Sequence, residues 1–187
     1  MNICDIWSIM KTSHGNAILF KPRDQEIAVP IFIGTPELQS ILIGKEGATL
    51  SRPHTHDLFI NMLSKVNLFV KKIEVFEIKD DVFYSRLVLT GGEYTKENPL
   101  TLDSRPSDAL AIAARNKCPI YMSSSVIEQA GVPISYFLNE IEEETDNKYS
   151  SLREQLEQAV AEEEYEQAAE IRDLLKMLEN DDGYDYD

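Results

Sequence analysis

Leu68-Phe-Val-Lys-Lys-Ile-Glu-Val-Phe-Glu-Ile78 and Val82-Phe-Tyr-Ser-Arg-Leu-Val-Leu-Thr90 read as two long strands. Asp80-Asp81 lies between them as the hairpin turn. Upstream, Ile3–Met10, Asn16–Lys21 and Glu26–Ile33 read as three more strands, the second following a turn at His14-Gly15-Asn16. Pro30 marks the third as an edge strand or a bulge, because proline gives no hydrogen to a ladder. A helix starts with Thr35 as N-cap and Pro36 at its first position, and ends near Gly44–Gly47. A second spans Thr55–Val66, with Thr55 as N-cap and Leu58, Met62, Leu63 and Val66 at helical spacing. Downstream come a helix over Pro106–Asn116, a short strand at Pro119–Met122 and a short helix at Ser123–Gly131. No regular βαβ alternation emerges. The order predicts an α+β fold, a mixed sheet of about six strands with three to four helices.

The chain has 187 residues, 43% hydrophobic and 27% charged, which fits one globular domain plus something small. Its two cysteines, Cys4 and Cys118, form no CxxC pair, so a structural zinc site and a disulfide framework are both unexpected. No stretch approaches the roughly 20 apolar residues of a membrane span. Asp5 stands where a signal peptide carries positive charge. A cytoplasmic, soluble protein is expected. The net charge of −15 is uneven: residues 140–187 hold 18 acids and 4 bases, and residues 1–139 hold 15 acids and 14 bases. The acidic total is not that of a protein held on nucleic acid by counterion release, but the near-neutral first part leaves room for a local basic patch.

The composition changes after residue 139. The predicted order is a domain over 1–139, an acidic linker over 140–148, a helical hairpin over 149–180 and a disordered acidic tail over 181–187. Tyr149–Ala161 and Tyr165–Glu179 are the two arms, each about 20 Å long and amphipathic. So small a hairpin buries little alone, so it is expected to dock on a partner or a second copy.

Two segments look alike: Arg52-Pro-His-Thr-His-Asp-Leu58 and Asp103-Ser-Arg-Pro-Ser-Asp-Ala-Leu110. Each puts Arg-Pro before a helix, then a hydroxyl and an aspartate in its first turn. One reading is structural, since Ser and Thr cap helices and Asp there complements the dipole. The other is chemical. Arg52 and Arg105, held extended by the following proline, make places for phosphate. Asp57, Asp103 and Asp108 supply oxygens suited to Mg²⁺ or Mn²⁺. His56 is a candidate proton carrier, because imidazole titrates near neutral pH. His54-Thr-His56-Asp57 is similar to the start of a binuclear metallohydrolase motif. The next Asp-His of that motif is missing and His14 is the only other histidine, which argues against a histidine-rich metal site.

These segments, with Ile31-Phe-Ile-Gly34 and Val82-Phe-Tyr84 in the same order, resemble the bifunctional nuclease (DNase/RNase) family over about residues 1–135. The resemblance implies an α+β fold and cleavage of DNA and RNA. It places Arg52, His56, Asp57, Arg105 and Asp108 on the family's motifs; His54 falls where the family has an apolar residue. Tyr165-Glu-Gln-Ala-Ala169-Glu-Ile-Arg172-Asp173 resembles the UVR motif, a helical hairpin through which excision-repair proteins pair and which also occurs in adaptors of bacterial protease systems. That resemblance implies a partner-binding role for Tyr165, Glu166, Ala169, Arg172 and Asp173, with fixed polar contacts by Arg172 and Asp173 inside or across the hairpin. Two functions follow: a nuclease with an interaction hairpin, or a non-catalytic adaptor that recruits a DNA-repair or protease complex. A homo-oligomer, most simply a two-fold dimer, is expected of either.

Overall fold

The computed structural model describes residues 1–12, 15–48 and 51–181, with side chains described outside 140–149 and 177–181. The chain forms two units, Met1–Ile134 and Ser135–Asp187. The first holds strands β1 (Asn2–Thr12), β2 (Gly15–Pro22), β3 (Ile27–Ile33), β4 (Phe69–Lys79), β5 (Val82–Thr90), β6 (Leu100–Ser104), β7 (Ile120–Met122) and β8 (Val132–Pro133). Its helices are α1 (Thr35–Glu46), α2 (Thr55–Lys65), α3 (Pro106–Asn116) and α4 (Ser124–Ala130).

The strands form one mixed sheet in the order β6-β5-β4-β7-β1-β2-β3-β8. Among the described residues only β4 and β7 pair in parallel. The Asp80-Asp81 turn closes the β4–β5 hairpin with both residues left-handed (φ 50° and 60°), the backbone of the tight turn that matches strand twist. Past Ala28 the outer edge of β3 carries no partner strand among the described residues, which is where Pro30 falls. Residues alternate faces along a strand. On β4 and β5 this turns Ile73, Val75, Leu87 and Leu89 into the core with Ala109, Leu110, Ile112 and Ala113 of α3. The same alternation turns Glu74, Arg86 and Asp103 to the opposite face, in one cross-strand row with Tyr121.

Several expectations need correction. Strands β6 and β8 were not anticipated. Each is short, and β8 is held by only two pairs, Ile27 with Pro133 and Ala28 with Val132. The N-cap of α1 is Gly34 and that of α2 is His54, one residue before the expected threonines. Thr35 and Thr55 are the first helical residues; the cap of α2 is made from the other side, the Asp57 carboxylate accepting from the His54 amide at 2.8 Å. Ser123 caps α4, its hydroxyl accepting from the Val126 amide at 3.2 Å. The turn at His14 lies outside the described residues.

The second unit is built from α5 (Ile134–Ala161) and α6 (Tyr165–Asp181). The stretch expected as a linker, 140–148, is helical, and the division between units falls at Ile134 rather than 139. Ile134–Ala161 contains no glycine or proline and is rich in glutamate, a good helix former, so nothing in it breaks the helix that Pro133 precedes. Glu163 turns left-handed (φ 60°), and the Glu164 amide donates back to Ala159 at 2.8 Å, which ends α5 and starts the return arm. Ala159, Ala168, Ile171 and Leu175 are buried between the arms, with Leu152 and Leu156 against them. Arg172 pairs with its neighbour Asp173 at 2.8 Å on the exposed surface rather than across the hairpin. The tail beyond Asp181 lies outside the described residues. Among the described residues no helix is long and apolar enough to cross a membrane.

Candidate active site

The first turns of α2 and α3 meet beside α1. Arg105, the N-cap of α3, is extended (φ −68°, ψ 147°), as a residue before proline must be. His56 of α2 sits between two partners. Its Nδ1 is 3.0 Å from the Ser40 hydroxyl of α1, and its Nε2 is 3.4 Å from the Asp108 carboxylate of α3. A carboxylate only accepts hydrogen bonds, which assigns the proton of a neutral ring to Nε2 and leaves Nδ1 to accept from Ser40. Arg105 donates to Asp108 from Nε at 2.8 Å and from Nη2 at 3.3 Å, and its Nη1 is 3.7 Å from Glu37. The Arg105 side chain is 68% exposed, so its guanidinium faces solvent beside the pair.

Asp57 is turned a different way. Its Oδ1 accepts from Arg115 Nε at 2.7 Å and its Oδ2 from the His54 amide. Arg115 is 8% exposed and also donates to the Ser40 and Ala111 carbonyls at 2.8 and 2.9 Å. Its Nη2 is buried without a partner among the described residues. One guanidinium thus ties α1, α2 and α3 together through Ser40 and Asp57, a partner and a neighbour of His56. Gly44 makes room for it: a Cβ there would stand 2.9 Å from Arg115 Nη1 and 3.1 Å from the Ala114 Cβ.

Both carboxyls lie below the usual carboxylate range. At Asp108 the Arg105 hydrogen bonds lead, against burial. At Asp57 burial pushes upward, but the His54 amide and Arg115 together outweigh it. Both are charged acceptors at neutral pH. Burial pushes the Cys4 and Cys118 thiols up to about 11, so neither is a thiolate nucleophile there.

The structure brings His56, Asp108 and Arg105 into contact and sets Asp57 beside them. Arg52 is exposed at the approach to α2 and, among the described residues, forms no hydrogen bond or ion pair. Asp103 faces away, on the opposite side of the sheet, because it alternates with Leu102, which packs into the core. The expected metal set of Asp57, Asp103 and Asp108 therefore does not assemble. Among the described residues no three His, Cys, Asp or Glu side chains converge to hold an ion. Asp57 and Asp108 instead each face an arginine, so the residues present do not fit a resident Mg²⁺ or Mn²⁺. Sequence reasoning missed Ser40, Glu37 and Arg115. Arg115 had a signal: it lies seven residues after Asp108, two turns along the same face of an otherwise apolar helix.

A mixed α+β domain with an Arg–Asp–His cluster at paired helix starts, followed by a helical hairpin, defines the class. The bifunctional nuclease domain matches residues 18–135, and the UvrB/UvrC motif matches residues 146–181. The chain belongs to the bifunctional nuclease domain family. An uncharacterised protein of Mycobacterium tuberculosis is 29% identical over 117 residues, 63% of this chain and 67% of that protein. Bifunctional nuclease 1 of Oryza sativa subsp. indica is 28% identical over 186 residues, 87% of this chain and 55% of the plant protein. Bifunctional nuclease 1 of Arabidopsis thaliana is 29% identical over 181 residues, 85% of this chain and 55% of its own. The chain thus spans about half the length of these plant relatives.

Proposed function

We propose that the chain hydrolyses phosphodiester bonds in DNA and RNA at the His56 cluster. The supporting observation is His56 held between Ser40 and Asp108 with Arg105 alongside. A water attacks the phosphorus while its proton passes by way of the Ser40 hydroxyl to His56 Nδ1, and Asp108 stabilises the imidazolium that results. The bond from phosphorus to the departing oxygen breaks, and that oxygen leaves with a proton from solvent. Arg105 and Arg52, both solvent-facing, neutralise the phosphate as charge develops on it. Asp57 and Arg115 act through the others, fixing where α2 and Ser40 stand.

The test is cleavage of labelled single- and double-stranded DNA and RNA by the wild-type chain and by His56→Ala and Arg105→Ala. His56→Ala lowers the rate about 100-fold or more, the usual worth of a positioned proton carrier. Wild-type rates in both variants would sink the assignment. Running each arm with Mg²⁺, Mn²⁺ and EDTA reads metal dependence separately, since the motif aspartates raise it and Asp57 and Asp108 each face an arginine.

A second part of the proposal concerns the hairpin, and the UVR match supports it. Val160, Tyr165 and Leu174 are large and exposed on its surface. It binds a protein partner or a second copy. Light scattering over a concentration series reads the self-association arm: mass rises toward that of a dimer, and a constant monomer mass leaves only a foreign partner.

A further inference from the structure

The face of the sheet turned away from α3 carries a second cluster of charge. Glu74, Arg86 and Tyr121 stand in one cross-strand row there. Glu74 is only 5% exposed. A buried carboxylate is costly unless paired. Here Lys72 reaches it at 2.6 Å and Arg86 Nε at 2.7 Å. Each cation also lies over a ring, Lys72 Nζ at 5.0 Å from the Tyr121 centroid and the Arg86 guanidinium carbon at 4.9 Å from that of Phe76. The buried acid thus fixes two cations in place on this strand face.

Neither cation is used up. Only Nε of Arg86 is bonded among the described residues, which leaves the forked pair of nitrogens free, and Lys72 keeps two further hydrogens. Both line a cleft of about 350 Å³ with Lys71 and Lys96. Four bases and one acid line it, in a segment, residues 1–139, that holds 15 acids and 14 bases overall. Asp103 stands opposite Arg86 in the register, outside the residues that line the cleft. Lys71 is there because β4 carries an extra residue between Val70 and Lys72, which breaks the alternation and adds a second lysine. A planar fork, an ammonium and two flanking lysines around a small cleft suit a phosphate group. The volume is at the lower end for small-molecule sites, which fits one nucleotide unit rather than a duplex.

We infer that this cleft binds the phosphate of a nucleotide, at a site on the opposite side of the sheet from His56. The phosphate comes either from a free nucleotide or from a strand of nucleic acid. Binding here requires no cleavage at His56, so it is measured separately from the proposed hydrolysis.

The test is equilibrium titration of the full chain in EDTA with inorganic phosphate and 5′-AMP, and of full-length His56→Ala, in which the proposed cleavage is lost, with a short oligothymidylate, at two salt concentrations. Lys71 and Lys96 are exposed and, among the described residues, unpaired, so Lys71→Gln/Lys96→Gln leaves the fold intact; Arg86→Gln removes the fork itself. The expected result is saturable binding, weakened at least about threefold by the double variant and about tenfold by Arg86→Gln, and unchanged by His56→Ala. For the oligothymidylate, the salt slope falls by about 0.7 for each phosphate that the variant no longer neutralises. Binding of 5′-AMP as tight as the oligonucleotide makes a free nucleotide the ligand. Binding of the oligonucleotide alone makes it the strand. No saturable binding of any probe, equal affinity in the Lys71→Gln/Lys96→Gln protein, or loss on His56→Ala would each overturn the inference.

Discussion

Arg115 shows how one side chain can organise a site that it does not enter. Asp57→Asn removes the partner of a guanidinium that is almost wholly buried, and an uncompensated buried charge is expensive. Asp57 itself is partly exposed, which softens the loss. The expected destabilisation is about 2 kcal/mol, read by urea denaturation. The pH dependence has a definite sign. Asp57 and Asp108 have folded values below their ordinary ones. Their contribution to stability is therefore present above the ordinary carboxylate value near 4 and is lost as pH falls through the folded values. Asp57→Asn should flatten the acid limb of stability against pH, and an unchanged limb would show that the pair contributes nothing. The motif aspartates, His56 and the pre-proline arginines were legible in the sequence because helix starts carry local signals. Ser40 and Arg115 were much less so, since each gains its meaning only from a neighbour in space. Asp103 misled for the same reason. Its place in the motif was visible, but the face it takes is fixed by Leu102 packing next to it.

The approach of α1 to α3 sets the spacing of the whole cluster. Gly44 lies where the two helices touch. Alanine normally gains in a helix relative to glycine by about 1 kcal/mol. At this position its methyl meets the Ala114 Cβ, which has no freedom to move aside. Gly44→Ala should cost about 1–3 kcal/mol of overpacking against that gain. Thermal melts should show a lower midpoint, and cleavage should fall as Ser40 moves off His56; a higher midpoint would mean the helices part easily. The long elements were readable from period and turn chemistry: β4, β5, α3 and α6 begin within a residue of where the sequence places them. The short ones were not. Strands β6 and β8 carry too few residues for alternation to register, and tertiary pairing rather than local preference makes them strands. Helix α5 failed in the other direction, because charge without an apolar anchor reads as linker although glutamate favours helix.

At the scale of the molecule the charge is divided between the two ends of the chain. Residues 140–187 hold most of the net −15. Such a segment is expected to compete with nucleic acid for cationic surface and so to restrain the proposed cleavage. Deleting residues 140–187 should raise cleavage at low salt, with the gain shrinking once the salt shortens the screening length to about 3 Å near 1 M. No gain at either salt would rule out this restraint. The sequence made the asymmetry plain by counting alone, whereas the basic cleft on the strand face was hidden, since Lys72, Glu74, Arg86 and Tyr121 come together only through strand register.

The one parallel pairing among the described residues, β4 with β7, joins two antiparallel halves, and β7 pairs in turn with β1, Asn2 with Met122. The sheet therefore cannot close until nearly the whole first unit has been synthesised. At about 5–20 residues per second, the β1–β3 meander waits several seconds beyond the ribosome with an unpaired edge. Such a wait is a window for wrong pairing. Chaperone demand in the cell should thus fall on the nascent first three strands rather than on the finished protein.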